Sequence, residues 1–147
     1  MNFNTLRFHH AQQHAYSTAL SELRSGRNRS HWIWYIFPQL KGLGRSLTAE
    51  QFGLDGLAEA RAYLADPLLR QRLIEATEAI LAHQSLSAAS VLGELDALKF
   101  RSCLTLFALA GPSEPVFTQA LDHFFDGEQD PRTLALLELY TTGVADS

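Results

Sequence analysis

The chain of 147 residues has one cysteine, Cys103, and so can form no intramolecular disulfide. No apolar run approaches the roughly 20 residues that a membrane-spanning helix needs. Residues 1–15 are polar and rich in histidine, without the apolar centre of a secretion signal. These absences point to a reducing cytoplasm and to no membrane partner. Three glycine signatures are also missing: the phosphate loop Gly-x-x-x-x-Gly-Lys-Ser/Thr, the dinucleotide turn Gly-x-Gly-x-x-Gly and the nucleophile elbow Gly-x-Ser-x-Gly. Repeats, low-complexity tracts and long linkers are lacking as well, as for one compact unit. Twelve basic residues against sixteen acidic ones give a net charge of −4, which argues against coating bulk nucleic acid, since that work uses a basic whole domain.

The most telling absence is local. Residues 23–49 hold five bases (Arg24, Arg27, Arg29, Lys41, Arg45) and no acid, while the rest of the chain carries seven bases against sixteen acids, or −9. Inside this island lie both tryptophans, in the run His31-Trp32-Ile33-Trp34-Tyr35-Ile36-Phe37-Pro38-Gln39-Leu40. Cations beside flat aromatic faces suit a small anionic ligand that bears a ring, such as a nucleotide. In this reading Arg29, Lys41 and Arg45 hold phosphate, Gln39 meets a polar edge, and His31 is the acid/base candidate. Trp32 and Trp34 are two apart, so on a helix they point in nearly opposite directions, one to the core and one to a pocket. Ser30 reads as the N-cap of a short helix through Phe37, with first-turn N–H groups free to meet an anion.

Apolar spacing and cap residues predict helices nearly throughout. The first covers residues 5–25, with Ala11, Ala15, Ala19 and Leu23 recurring every fourth position and Gly26 closing it. Asp66-Pro67 and Asp130-Pro131 pair a capping acid with proline at the first helical position. Short helices follow Thr48, Asp55 and Ser87; a longer one starts at Pro115, and the last ends near Thr141 with a disordered tail after about residue 142. Asp96 reads as the cap of a helix over residues 97–110 that is apolar nearly all round after Arg101, and therefore central. Asp96, Lys99 and Ser102 are spaced by three and fall close to one line on it. A buried lysine needs a partner, so Lys99 should face a carboxylate, a phosphate or a solvated cleft. The expected fold is all-α, one domain of about six to eight helices around a central apolar helix. Cys103 reads as a packed, inert thiol. His10 and His14 have a metal-compatible spacing but no partner set, so no metal site and no cofactor are expected. Nothing in the sequence indicates an oligomeric state.

Taken together these residues resemble the domain of unknown function family 1810. The resemblance rests on Arg7-Phe8, Ala11-Gln12 and Tyr16; Ala19-Leu20 with Glu22-Leu23; Gly26-Arg27; Ser30 to Trp34 with Ile36 to Leu40; Gly42-Leu43-Gly44; Ala62-Tyr63-Leu64; Arg72-Leu73; Asp96 to Lys99; and Ser102 with Thr105-Leu106-Phe107. It implies an α-helical cytoplasmic protein whose activity is not established. Cys103 departs from the family pattern, where serine is expected, and this argues against a required nucleophile there. A shorter stretch, Asp66-Pro67-Leu68 with Arg72-Leu73, Glu75 and Thr77, is similar to the NADAR superfamily of N-glycosidases. That similarity implies action on ADP-ribose or phosphoribosyl conjugates. For an enzyme that hydrolyses such a bond, Asp96 would stabilise a cationic sugar or activate water, Lys99 would bind phosphate or tune Asp96, and Ser102 would contact ligand. The alternatives are a non-catalytic nucleotide or anion-binding module, and a helical adaptor that exposes Trp32 and Trp34 as an apolar anchor.

Overall fold

Two aspartates set the frame. In the computed structural model, which describes residues 5–27 and 29–145 with side chains to residue 138, Asp66 and Asp130 each start a long helix. Asp66 Oδ1 accepts from the Leu68 and Leu69 N–H groups at 3.1 Å, and Pro67 fills the first position of the helix. Asp130 Oδ2 accepts from the Thr133 N–H at 3.1 Å. Both caps satisfy donors that the first helical turn leaves open.

Nine helices occur among the described residues: α1 (Leu6–Ser25), α2 (Ile33–Ile36), α3 (Leu47–Phe52), α4 (Leu57–Ala65), α5 (Pro67–Leu81), α6 (Ala88–Leu92), α7 (Glu94–Ala110), α8 (Pro115–Phe125) and α9 (Pro131–Ala145). The all-α expectation holds. The nine helices are one more than the upper figure of the expected six to eight, and each falls on a segment expected to be helical, the short α2 and α6 included. One isolated parallel bridge joins Leu40 to Leu54. Gly53 permits it, since a Cβ there would lie 2.6 Å from Lys41 Cγ and 2.8 Å from backbone atoms. α9 runs past the expected end near Thr141 to Ala145, and residues 146–147 of the expected tail lie outside the described residues.

α7 is the central helix, packed against α4, α6, α8 and α9 and touching α2. Its Phe100, Cys103, Leu104, Leu106 and Phe107 are fully buried. Phe100 meets Phe37 with ring centroids 4.8 Å apart, and Phe107 meets Tyr63 at 5.4 Å. α1 packs on α5 and α2, and its buried Phe8 meets Phe52 of α3 and Tyr63 of α4 with ring centroids 5.5 and 5.1 Å apart. Gln12 of α1 is buried and donates from Nε2 to the Tyr35 carbonyl at 2.7 Å and to Tyr63 Oη at 3.0 Å. This bond ties α2, and the aromatic run that contains it, to the first helix. No helix among the described residues is long and apolar enough to cross a membrane.

Two expected caps are corrected. α7 begins at Glu94 from Gly93, whose φ of 90° suits glycine, so Asp96 lies inside the first turn and does not cap the helix. α2 begins only at Ile33, and Ser30 does not cap it, because Ser30 is held by Glu22.

Candidate functional site

The basic island is answered by an acid one residue outside it. Glu22 Oε1 accepts from the Arg29 N–H at 2.7 Å, the Ser30 N–H at 3.0 Å and the Trp32 indole Nε1–H at 3.0 Å, while Oε2 accepts from the Ser30 hydroxyl at 2.7 Å. Burial raises the pKa of this carboxyl, but the four donors outweigh it and bring the value down from 4.5 to about 2. The Arg29 and Ser30 N–H groups, just ahead of the expected first turn, therefore hold a side chain of the protein itself. Lys41 likewise pairs with Asp55 at 3.4 Å, from the far side of the island.

A hollow of about 180 Å³ does form beside the aromatic run, bordered by His31, Trp34, Tyr35, Ser46, Asp96 and Lys99, with Ile33 and Thr48 at its edge. The sequence segment around α2 supplies one wall and the first turns of α7 the other. Trp34 is 7% exposed and Trp32 only 1%. So Trp34 borders the pocket and Trp32 belongs to the core. Gly44 backs the Trp34 ring: a Cβ there would lie 2.7 Å from Cζ2. Lys99 Nζ lies 5.8 Å from the Trp34 ring centroid and 3.4 Å from Asp96 Oδ1. The Tyr35 hydroxyl donates to the His31 carbonyl at 3.1 Å, fixing the backbone that presents the imidazole, and burial raises the Tyr35 pKa. Ser46 caps α3 by accepting the Ala49 N–H at 3.0 Å.

A second hollow, of about 270 Å³, adjoins Lys99 on its other side. Gln39, Arg101, Ser102, Asp130 and Arg132 border it, with Leu43, Leu95, Leu98 and Pro131. Ser102 Oγ donates to Asp130 Oδ2 at 2.8 Å, and Thr105 Oγ1 accepts the Asp130 N–H at 2.9 Å. Arg101 Nη2 lies 3.6 Å from Asp130 Oδ1. Burial raises the Asp130 pKa, but hydrogen bonds from Thr133 and Ser102 and the charge of Arg101 outweigh it and lower the value. The carboxylate is thus held ionised at the start of α9.

Of the residues singled out in the sequence, the fold brings His31, Trp34, Asp96 and Lys99 to the first hollow and Gln39 and Ser102 to the second, with Lys99 common to both. Arg29, Lys41 and Arg45 are exposed and border neither hollow. The exposed indole patch that an adaptor needs is not formed, since both tryptophans are buried. Cys103 is fully buried and burial pushes its thiol pKa well up, which leaves it no path to act as a nucleophile. No group of three or more His, Cys, Asp or Glu with metal-binding placement occurs among the described residues.

Three functional candidates escaped sequence reasoning: Glu22, Arg101 and Arg132. Glu22 sat one residue beyond the acid-free stretch. Arg101 was visible as the charged residue at the start of an apolar helix, and Arg132 as the base directly after Asp130-Pro131; neither spacing links them to Lys99 without the fold.

Comparison with solved structures gives a crystal structure of the conserved hypothetical protein Rv1873 from Mycobacterium tuberculosis, with a TM-score of 0.90 and 43% identity over 92% of this chain and 97% of that one. Comparison with curated proteins gives no match. Residues 2–137 match the family described as Protein of unknown function (DUF1810). With that match covering nearly all of the helical frame and both hollows, the chain belongs to the DUF1810 family.

Proposed function

We propose that the hollow at His31, Trp34, Asp96 and Lys99 is a small-molecule site at which the chain hydrolyses the N-glycosidic bond of a phosphorylated, nucleoside-like or ADP-ribose-type substrate. The observation that carries this reading is the meeting, around one 180 Å³ space, of an imidazole, a carboxylate, an ammonium and an indole edge from two separate segments. A carboxylate beside the sugar stabilises the cationic character that develops at C1′ as the C–N bond breaks. Water then adds its oxygen to C1′, one of its protons is taken up by Asp96, and the leaving nitrogen takes a proton from His31. Lys99, 3.4 Å from Asp96, holds that carboxylate in place and offers its remaining N–H donors to an anionic group of the substrate. Trp34 gives the ring an apolar edge, not a broad stacking face, because it is 7% exposed.

The test is incubation with nucleoside 5′-monophosphates and ADP-ribose conjugates, followed by chromatography for free base and phosphoribose. Asp96→Asn should lower turnover by about 10²–10⁴-fold with the fold intact. Full activity in that variant, or no product from any such substrate, would overturn the reading. A non-catalytic anion-binding module is the second reading, favoured by the existing Lys99–Asp96 pair, which already engages the carboxylate. It predicts saturable ligand binding without product.

A further inference from the structure

We propose that the second hollow is a phosphate subsite, in which Lys99, Arg101 and Arg132 hold a phosphoryl group and the Gln39 amide completes its contacts. The inference deepens the proposed function and rests on it only for the identity of the molecule that carries the phosphate.

Charge comes first. The hollow of about 270 Å³ is bordered by three bases and one acid, Asp130, in a chain whose net charge is −4. That acid is occupied. Its Oδ2 accepts from the Ser102 hydroxyl and from both the N–H and the hydroxyl of Thr133, and its Oδ1 faces Arg101. Lys99 faces Asp96 at 3.4 Å and Arg101 faces Asp130 at 3.6 Å, which leaves Arg132 as the base of the hollow with no acid beside it among the described residues, where α7, α9 and the loop after α2 meet.

Unused donors come second. Buried polar groups are normally hydrogen-bonded. Gln39 is 1% exposed, yet the one side-chain contact it makes among the described residues is a weak one, from Nε2 to the Phe37 carbonyl at 3.5 Å. The Arg101 guanidinium approaches Asp130 and Glu128 at 3.6 and 4.0 Å, too far for good hydrogen bonds, and its buried Nε has no partner. Arg132 spends one Nη2 hydrogen on the Leu43 carbonyl at 3.1 Å, and among the described residues the rest of its fork makes no further hydrogen bond. A buried amide and two arginine forks with spare donors border the same space. A compact, multiply charged acceptor satisfies all three, and phosphate fits guanidinium geometry in two-point contact. An α9 cap built on Asp130 accounts for Ser102, Thr133 and part of Arg101, but it does not involve Gln39 or Arg132.

Position comes third. Lys99 borders both hollows, so that one side chain links the second to the one that Asp96 and His31 flank. A phosphorylated sugar can then place its ring carbon in one and its anion in the other.

Calorimetric titration of the full chain with inorganic phosphate and with ribose 5-phosphate tests the subsite. Saturable binding is expected, weakened about tenfold or more by Arg132→Gln, as for loss of one charge-assisted hydrogen bond. Lys41→Gln, which removes a cation outside both hollows, should leave it unchanged. Arg132 lies on the surface, so that variant keeps its fold; Gln39→Leu gives a second, uncharged check that should also weaken binding. Tighter binding of ribose 5-phosphate than of phosphate assigns the subsite to a sugar phosphate, and equal binding assigns it to free phosphate. No saturable binding of either anion by the folded protein, or equal weakening by Lys41→Gln and Arg132→Gln, would sink the proposal. Turnover without phosphate binding overturns the subsite and spares the proposed reaction, whereas binding without turnover does the reverse.

Discussion

Replacing Glu22 with glutamine removes the charge that organises the approach to the site while keeping the side chain's size. Its four donors are unequal. Arg29 is exposed, so water replaces the carboxylate at that N–H, whereas the Trp32 indole is 1% exposed and has no such recourse. Each pH unit between 4.5 and about 2 is worth about 1.36 kcal/mol, an upper bound of roughly 3 kcal/mol for the carboxylate. Solvent around this partly exposed group screens that to about 1–2 kcal/mol. The sign follows from a folded value below the unfolded one: the contribution is complete above about pH 4.5 and is lost as pH falls toward about 2. Asp66 and Asp130 are lowered too and act in the same direction, so the difference between wild type and variant isolates Glu22. Urea unfolding followed by tryptophan fluorescence should give Glu22→Gln a lower midpoint at pH 7, with the gap narrowing below about pH 4.5 and mostly gone near pH 2. Equal stability at pH 7, or a gap that does not change with pH, would refute an internal anion at this position.

The remaining predictions concern the walls of the two hollows. Gly44→Ala sets a methyl group 2.7 Å from the Trp34 ring and 2.9 Å from Ala49 Cβ. Because both neighbours are packed, it should destabilise the fold by about 1–3 kcal/mol, read by chemical denaturation, and shift the Trp34 emission. Asp130→Ala strips the α9 cap and leaves Arg101 facing no carboxylate in the second hollow except the distant Glu128. A loss of about 2–3 kcal/mol is expected, with faster amide exchange at Thr133 and Leu134 than elsewhere in the chain.

Caps were readable because their chemistry is local. At Asp66-Pro67 and Asp130-Pro131 the carboxylate, the fixed proline φ and the first-turn donors lie within four residues, so the sequence alone contains the whole interaction. The apolar span of α7 was readable for the same reason, since its periodicity needs no partner to be seen. Ser30 failed because its competitor, Glu22, is eight residues away and reaches it only after α1 turns at Gly26. Asp96 failed as a cap because Gly93 both ends α6 and opens α7, placing the helix start three residues earlier than the acid suggests. That shift is what leaves the Asp96 side chain at the first hollow. His9 carries no local sign of its partner: its Nε2 meets Asp66 Oδ2 at 2.7 Å across 57 residues of chain. Local charge counting had the same blind spot: residues 23–49 contain no acid, but Glu22 and Asp55 reach in from either end.

The most direct measurement is a crystal structure of the chain soaked with ribose 5-phosphate, the sugar product of the proposed cleavage. The sugar should lie between Asp96, His31 and Trp34, with its phosphate against Lys99 and Arg132. Both hollows left vacant at saturating ligand, or the molecule found on another face, would contradict the account.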